Sequence, residues 1–117
     1  MDFKQSLETC LRTKYADFSG RASRSEYWWF ALGMLIVNVV IQLIAHAVPI
    51  LGLVLAIIFF LAVIVPGIAV SVRRLHDTGK SGWFLLLALI PLVGGIVLLV
   101  FYVLPSDPNA NAYGQAP

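Results

Sequence analysis

The fold is decided by the stretch Arg73-Arg74-Leu75-His76-Asp77-Thr78-Gly79-Lys80-Ser81-Gly82-Trp83, the one cluster of charge between residues 27 and 106. Segments without Asp, Glu, Lys or Arg lie on both sides of it, at 28–72 and 83–104. One helical crossing of a bilayer takes about 20 apolar residues. The first segment is therefore long enough for two crossings and the second for one.

The composition also favours a membrane protein. Hydrophobic residues make up 60% of the 117-residue chain and charged residues only 12%, whereas soluble domains carry about 25% charged residues. The formal net charge is +2, and the basic residues lie beside the apolar segments, so we expect no binding of nucleic acid. Cys10 is the single cysteine, which excludes an internal disulfide and offers no metal site. We expect no metal and no cofactor.

The pattern predicts an all-α integral membrane protein that forms one domain over residues 1–117. Apolar residues recur near the amino terminus at helical spacing, which predicts a short amphipathic helix at 2–18. This helix lies either in the headgroup layer or on the protein's own helices. Three transmembrane helices are expected at 24–47, 50–72 and 83–104, followed by an irregular tail at 105–117 that is rich in Pro, Asn, Ala and Gly.

Local signals mark the ends and irregularities of these helices. Ser23 and Glu26 have the spacing of a capping box, in which each side chain bonds the other residue's backbone amide. Pro66 predicts a kink in the second helix. In the third apolar segment the regular pattern is interrupted by Pro91, Gly94 and Gly95.

The distribution of Lys and Arg predicts the orientation. All eight basic residues precede residue 25 or lie between residues 73 and 80, and the tail has none. The positive-inside rule places such segments in the cytoplasm. With three crossings, the amino terminus is cytoplasmic and the carboxy terminus lies outside.

Charged residues on this cytoplasmic face are candidates for contact with anionic headgroups or with a partner protein. They are Arg21, Arg24, Glu26, Arg73, Arg74, His76, Asp77 and Lys80. The basic residues could instead pair with Glu26 and Asp77 in a purely structural turn, which glycines would shape. Acid–base catalysis by His76 and Asp77 is the interpretation that explains least.

Two motif matches in the same stretch fail on their context. Gly79-Lys80-Ser81 resembles the end of a P-loop, but that motif needs a glycine at position 74, where the chain has Arg74, and a preceding strand. The triplet Asp77-Thr78-Gly79 occurs in aspartic proteases, which need two facing carboxylates in a β-rich setting. We expect no catalytic residue and no enzymatic activity.

A polar stripe crosses the first transmembrane helix. Asn38, Gln42 and His46 are four residues apart and share one helix face. Polar side chains in hydrocarbon seek partners, so the stripe either bonds other helices, fixing their packing or an oligomer, or lines a path for protons or solutes.

The whole pattern resembles a known family. The segments that carry the likeness are Tyr15-Ala16-Asp17-Phe18-Ser19-Gly20-Arg21-Ala22-Ser23-Arg24-Ser25-Glu26-Tyr27-Trp28, Val72 to Trp83, Pro91-Leu92-Val93-Gly94 and Asn111-Ala112-Tyr113-Gly114. They are similar to the bacterial inner-membrane family known as domain of unknown function 805. The resemblance implies a small multi-pass protein of the bacterial inner membrane. It implies no activity and carries over no catalytic residue.

The leading hypothesis is a non-enzymatic membrane adaptor that contacts anionic lipid or a partner protein through its basic face. The alternative is a small oligomeric transporter or channel that uses the polar stripe. Three short crossings bury little surface, so we expect a homo-oligomer or a membrane-protein partner.

Overall fold

A computed structural model describes residues 1–114 of the chain. Within them lie α1 (Phe3–Glu8), a π-helical turn (Thr9–Thr13), α2 (Arg24–Ala47), α3 (Pro49–Asp77), a 3₁₀-helix (Gly82–Leu89) and α4 (Val93–Val103). The described part of the chain is helical with irregular connections, as the sequence predicts. Residues 115–117 of the predicted tail lie outside the described residues.

The two long helices form a hairpin that reverses at Val48. With 24 and 29 residues, α2 and α3 are about 36 Å and 43 Å long, more than the roughly 30 Å of a hydrocarbon core. Both are apolar enough to cross a membrane, and they are the two such helices among residues 1–114. Near the reversal, Gly52 lets α3 approach the backbone of Ala45, where any side chain would collide.

The caps of these helices differ in part from the predicted ones. The Ser23 hydroxyl accepts a bond of 3.2 Å from the Glu26 amide, as expected for an N-cap. The second bond predicted for the capping box, from the Ser23 amide to the Glu26 side chain, is wrong, because the Glu26 carboxylate pairs with Arg73 instead. At the other end, α3 continues five residues beyond the predicted residue 72, to Asp77.

A Schellman motif ends α3 where the sequence has its first glycine after the basic residues. The amide of Lys80 donates to Leu75 at 2.9 Å and the amide of Gly79 to His76 at 3.0 Å. Gly79 has a φ of +78°, a conformation that favours glycine. The first five residues of the basic stretch, 73–77, are thus the last turn and a half of α3, a position where the helix dipole favours basic side chains.

The amino-terminal segment packs on the protein's own helices. Phe3 and Leu7 cover Gly33 of α2, where an added Cβ would lie 2.9 Å from the Leu7 side chain. Its helix ends at Thr13 rather than at residue 18, because Asp17 accepts a bond of 2.9 Å from the Ser19 amide and forms a turn. The Tyr15 hydroxyl, beyond the helix, donates to the carbonyl of Ala62 at 2.6 Å.

This last contact explains how α3 tolerates a proline. Pro66 has no amide hydrogen, so the carbonyl four residues earlier, that of Ala62, loses its helical partner. The Tyr15 hydroxyl supplies the missing donor. The predicted irregularity at Pro66 is therefore compensated by a side chain from another segment, and the helix runs through it without a break.

A third continuous helix over 83–104 is not confirmed. The 3₁₀-helix and α4 instead form an apolar hairpin, residues 82–103, that reverses at Ile90-Pro91-Leu92. One arm has eight 3₁₀-helical residues and the other eleven α-helical residues. Each arm is therefore about 16 Å long, half the thickness of a hydrocarbon core. Leu92 adopts a φ of +64° in the reversal, which is rare for a bulky residue.

The return of the hairpin changes where the tail lies. The sequence predicts the tail and the basic stretch at opposite ends of the molecule, whereas the structure brings them together: the Asp107 amide donates to the Asp77 carbonyl at 2.8 Å. Residues 105–114 are irregular, as predicted, and end in a small loop paired between Asn111 and Gly114.

Gly94 is the residue that permits the hairpin. A Cβ at this position would overlap the carbonyl of Leu87 on the opposite arm, whereas a Cβ at Gly95 would meet nothing within 4 Å. We predict that Gly94→Ala lowers the free energy of unfolding by about 1–3 kcal/mol, the usual cost of overpacking. Unfolding in mixed detergent, followed by circular dichroism, measures the change.

Gly95→Ala is the matched control. It adds the same methyl group one residue further along, in open space, and should leave stability unchanged or slightly higher, because alanine is the better helix former. Equal effects of the two substitutions would contradict the close approach of the two arms.

Candidate functional site

The structure gathers the residues predicted for the basic face at one end of the molecule but encloses most of them. Six are buried: Arg21, Glu26, Arg73, Arg74, His76 and Asp77. Arg24 is exposed and Lys80 half-buried. Buried charges must be paired and hydrogen-bonded to be tolerated, so their partners decide what the cluster can do.

Asp77 is the centre of the cluster. Its carboxylate accepts from Nε of Arg21 at 3.0 Å and from Nη1 of Arg74 at 2.6 Å. The hydroxyl of Ser106 donates to the same carboxylate. One carboxylate thus joins the segment before α2, the end of α3 and the tail.

A second ion pair lies beneath the amino-terminal segment. Nη1 of Arg73 pairs with the Glu26 carboxylate, and Nε donates to the carbonyl of Asp17 at 3.1 Å. The thiol of Cys10 lies 3.8 Å from the same carboxylate. Burial, followed by the neighbouring charge of Glu26, raises the pKa of Cys10 to about 11. Cys10 is therefore a neutral packing group at physiological pH.

Arg74 also binds the end of the apolar hairpin. Its Nε donates to the carbonyl of Tyr102 at 3.1 Å, and its Nη2 donates to the carbonyl of Leu104. Nη1 of Arg24 reaches the carbonyl of Val103 at 3.4 Å, and Nε1 of Trp28 donates to Tyr102 at 3.1 Å. The last carbonyls of a helix carry partial negative charge, so the two arginines and the neutral indole N–H of Trp28 cap α4.

Arg21 binds backbone carbonyl groups of the tail. Its Nη1 donates to the carbonyls of Asn109 at 2.9 Å and Gly114 at 3.3 Å. Its Nη2 donates to the carbonyl of Asp107 in the tail and to that of Asp77 in α3 at 3.1 Å. The tail bonds the end of α3 in return, where Nδ2 of Asn111 donates to the His76 carbonyl at 3.0 Å.

His76 is enclosed by the same contacts. Its ring stacks on Tyr113 with 3.9 Å between the ring centres, and its Nδ1 lies 2.9 Å from the Gly20 carbonyl. Because a carbonyl oxygen accepts, Nδ1 is the donor in this contact, and Nε2 is the acceptor of the corresponding neutral tautomer. Because Asp77 bonds arginines and His76 bonds a carbonyl, the two do not form an acid–base pair with each other.

The cluster is therefore a structural joint. Three arginines face two carboxylates, and backbone carbonyl oxygens accept from most of the other donors, although the buried Nη2 of Arg73 has no hydrogen-bond partner within residues 1–114. Sequence reasoning missed the roles of Ser106, Asn111 and Tyr113, although Asn111 and Tyr113 lie in a segment that carries the family likeness. Residues 1–114 contain no group of three or more His, Cys, Asp or Glu side chains that could hold a metal ion.

A lateral cavity of about 570 Å³ adjoins this cluster at His76. It opens between α3 and the 3₁₀-helix, and the residues that line it include Ile68, Val72, His76, Ser81, Trp83 and Leu86. Its walls are mostly apolar, with His76 and Ser81 as polar groups at the end nearest the cluster. Pockets of this size and character suit a ligand with a long apolar part and a polar end.

The polar stripe lies on the outside of the molecule. Asn38, Gln42 and His46 are all exposed on α2. None of the three side chains forms a hydrogen bond with another residue of the described chain, residues 1–114. The stripe therefore does not fix the packing of this chain's own helices, and a path lined by it would need several copies.

The fold and the site define a small all-helical protein with two long apolar helices and a buried ionic joint. The chain belongs to the family described as "Protein of unknown function (DUF805)", which it matches over residues 15–115. It is 43% identical over 106 residues to inner membrane protein YhaI of Escherichia coli strain K12, covering 88% of this chain and 87% of the relative. It is 38% identical over 110 residues to inner membrane protein YhaH of the same strain, covering 88% of each. No solved structure matches the chain.

The role of Asp77 is tested by Asp77→Asn, which keeps the side chain's shape and removes its charge. Two buried arginines then lack a counter-charge, and breaking such a pair costs about 3–5 kcal/mol. We predict lower thermal stability in detergent and faster cleavage of residues 105–114 by proteinase K, followed by mass spectrometry.

Glu8→Gln is the control, because Glu8 is an exposed acidic residue of α1. It removes the same charge and should leave both the stability and the protection of the tail unchanged. A tail that stays fully protected in Asp77→Asn would show that the joint does not hold it.

Proposed function

We propose that the protein is a non-enzymatic component of the bacterial inner membrane that binds an anionic phospholipid of the cytoplasmic leaflet. The membrane placement is supported by the two long apolar helices and by the relatives, which are named inner membrane proteins. In this proposal α2 and α3 cross the bilayer, and the apolar hairpin enters it from the cytoplasmic side and returns.

The orientation follows from charge. All eight Lys and Arg residues belong to the end of the molecule that holds the amino-terminal segment, the basic stretch and the tail. The positive-inside rule assigns that end to the cytoplasm. Both termini are then cytoplasmic, and the reversal at Val48 faces the periplasm.

The observation that carries the lipid proposal is the lateral cavity of about 570 Å³ between α3 and the 3₁₀-helix. Because both walls belong to apolar segments, its opening faces hydrocarbon, so an acyl chain can enter it from the bilayer. His76 offers an acceptor and Ser81 a hydroxyl at its polar end, which suits the ester and hydroxyl groups of a glycerolipid.

Lys80 supplies the charge that favours an anionic headgroup. Arg73 and Arg74, the first candidates for this role, are fully buried and paired within the chain. Lys80 is half-buried beside Ser81, with its ammonium group over the ring of Phe101 at 4.8 Å and 3.4 Å from the Thr78 carbonyl. Lys80 does not itself line the cavity, but it directly precedes Ser81, which does, and its ammonium group keeps donors for a phosphate.

Lipid binding is tested by titrating the detergent-solubilised protein with phosphatidylglycerol or phosphatidylcholine and counting bound lipid by native mass spectrometry. We expect one phosphatidylglycerol to bind more tightly than phosphatidylcholine. Ile68→Phe places a bulkier side chain in the cavity wall and should weaken binding about tenfold, or 1.4 kcal/mol. Lys80→Gln should reduce the preference for the anionic lipid.

Matched controls exist for both substitutions. Ile64 and Ile68 are 38% and 41% exposed one turn apart on α3, but Ile64 does not line the cavity. Ile64→Phe should bind lipid as the unmodified protein does, and Lys4→Gln should keep the anionic preference. If Ile64→Phe and Ile68→Phe behave alike, or the two lipids bind equally, the proposal is wrong.

A further inference from the structure

We propose that α2 binds a second copy of this chain through its exposed polar stripe, so that the protein is a symmetric dimer in the membrane. The observation is the position of two carboxamides. Asn38 and Gln42 lie 14 and 18 residues after the start of a 24-residue helix, about 21 Å and 27 Å along its axis. Asn38 is thus near the middle of the hydrocarbon core.

An unpaired amide at that depth is costly. Transfer of such a group from water to an environment without hydrogen-bond partners costs several kcal/mol. Lys and Arg avoid this cost by extending to the interface, but the one-methylene side chain of Asn38 is too short to do so. Both carboxamides are exposed on the outer face of α2 and form no hydrogen bond within residues 1–114, so we infer a partner beyond these residues.

The chemistry of the carboxamide selects a second copy as that partner. An amide carries both donors and an acceptor, so the same side chain of another copy can satisfy it. In a dimer with twofold symmetry each residue near the axis meets its own equivalent. Hydrogen bonds of this kind between Asn or Gln side chains drive association of membrane helices.

The neighbours of the carboxamides fit a helix–helix seam. Leu35, Asn38 and Gln42 are separated by three and four residues, the spacing of the contact positions in a two-stranded coiled coil. Leu35 is 57% exposed. A polar Asn at such a position beside apolar residues specifies the register of the pair.

The seam is independent of the lipid cavity. It lies on α2, whereas the cavity is lined by residues of α3, the 3₁₀-helix and the segments next to them. A protein that binds lipid but stays monomeric, or dimerises without selecting a lipid, would therefore separate the two proposals.

Dimerisation is tested on the full-length protein in phospholipid vesicles. Cys10→Ala with Ala16→Cys provides one exposed labelling position for donor and acceptor dyes. We expect energy transfer that depends on the protein-to-lipid ratio. Asn38→Leu should raise the dissociation constant about tenfold, and Gln42→Leu should act in the same direction, with the thermal unfolding midpoint of each variant preserved.

Val40→Leu is the matched control, because Val40 is also exposed on α2 but lies about 200° around the helix from Asn38. It should not change the energy transfer. In a cysteine-free background, Leu35→Cys should form a disulfide-linked dimer on oxidation and Val40→Cys should not. The proposal fails if the labelled protein without a substitution in α2 shows no energy transfer, if Asn38→Leu has no effect, or if both cysteines cross-link equally.

Discussion

The rest of the structure depends on one interaction, the double ion pair of the Asp77 carboxylate. Its oxygens lie 3.0 Å from Nε of Arg21 and 2.6 Å from Nη1 of Arg74. Enclosing these charges costs desolvation free energy that their attraction only roughly offsets. Their contribution is therefore to specify one arrangement of segments rather than to add net stability. A guanidinium group has five donors in a fixed plane. Other donors of these two arginines bond the carbonyl groups of Ala22 and Asp77, of the end of α4 and of the tail.

This requirement determines the path of the last third of the chain. Arg74 binds the carbonyls of Tyr102 and Leu104, so the apolar segment that leaves the end of α3 must return to it. Two arms of about 16 Å, each half as long as a hydrocarbon core is thick, accomplish this return. The return places a wall opposite α3 and thereby creates the lateral cavity. The same arginines that seemed available for lipid headgroups thus build the pocket that we propose for a lipid.

Sequence reasoning correctly predicted the helical class and an α2 helix at 24–47, because length, apolar content and the Ser23 cap are local signals. It did not predict the apolar hairpin, although Pro91 and Gly94 were visible, because hydropathy does not distinguish a kinked crossing from a reversal. The deciding partners are distant: Arg21 and Asp77 are 56 residues apart, and Arg73 and Glu26 are 47 apart. A count of charges cannot show which of them are buried in pairs.

The most direct test asks on which side of the membrane the tail lies. Ala16 and Ala112 are both exposed, so Ala16→Cys and Ala112→Cys can each be placed in Cys10→Ala protein and treated with a membrane-impermeant maleimide. Ile50→Cys, near the reversal of the long helices, marks the opposite side. The account predicts that the cysteines at 16 and 112 react only in inside-out vesicles and that the one at 50 reacts only in spheroplasts. Labelling of position 112 in spheroplasts would contradict it.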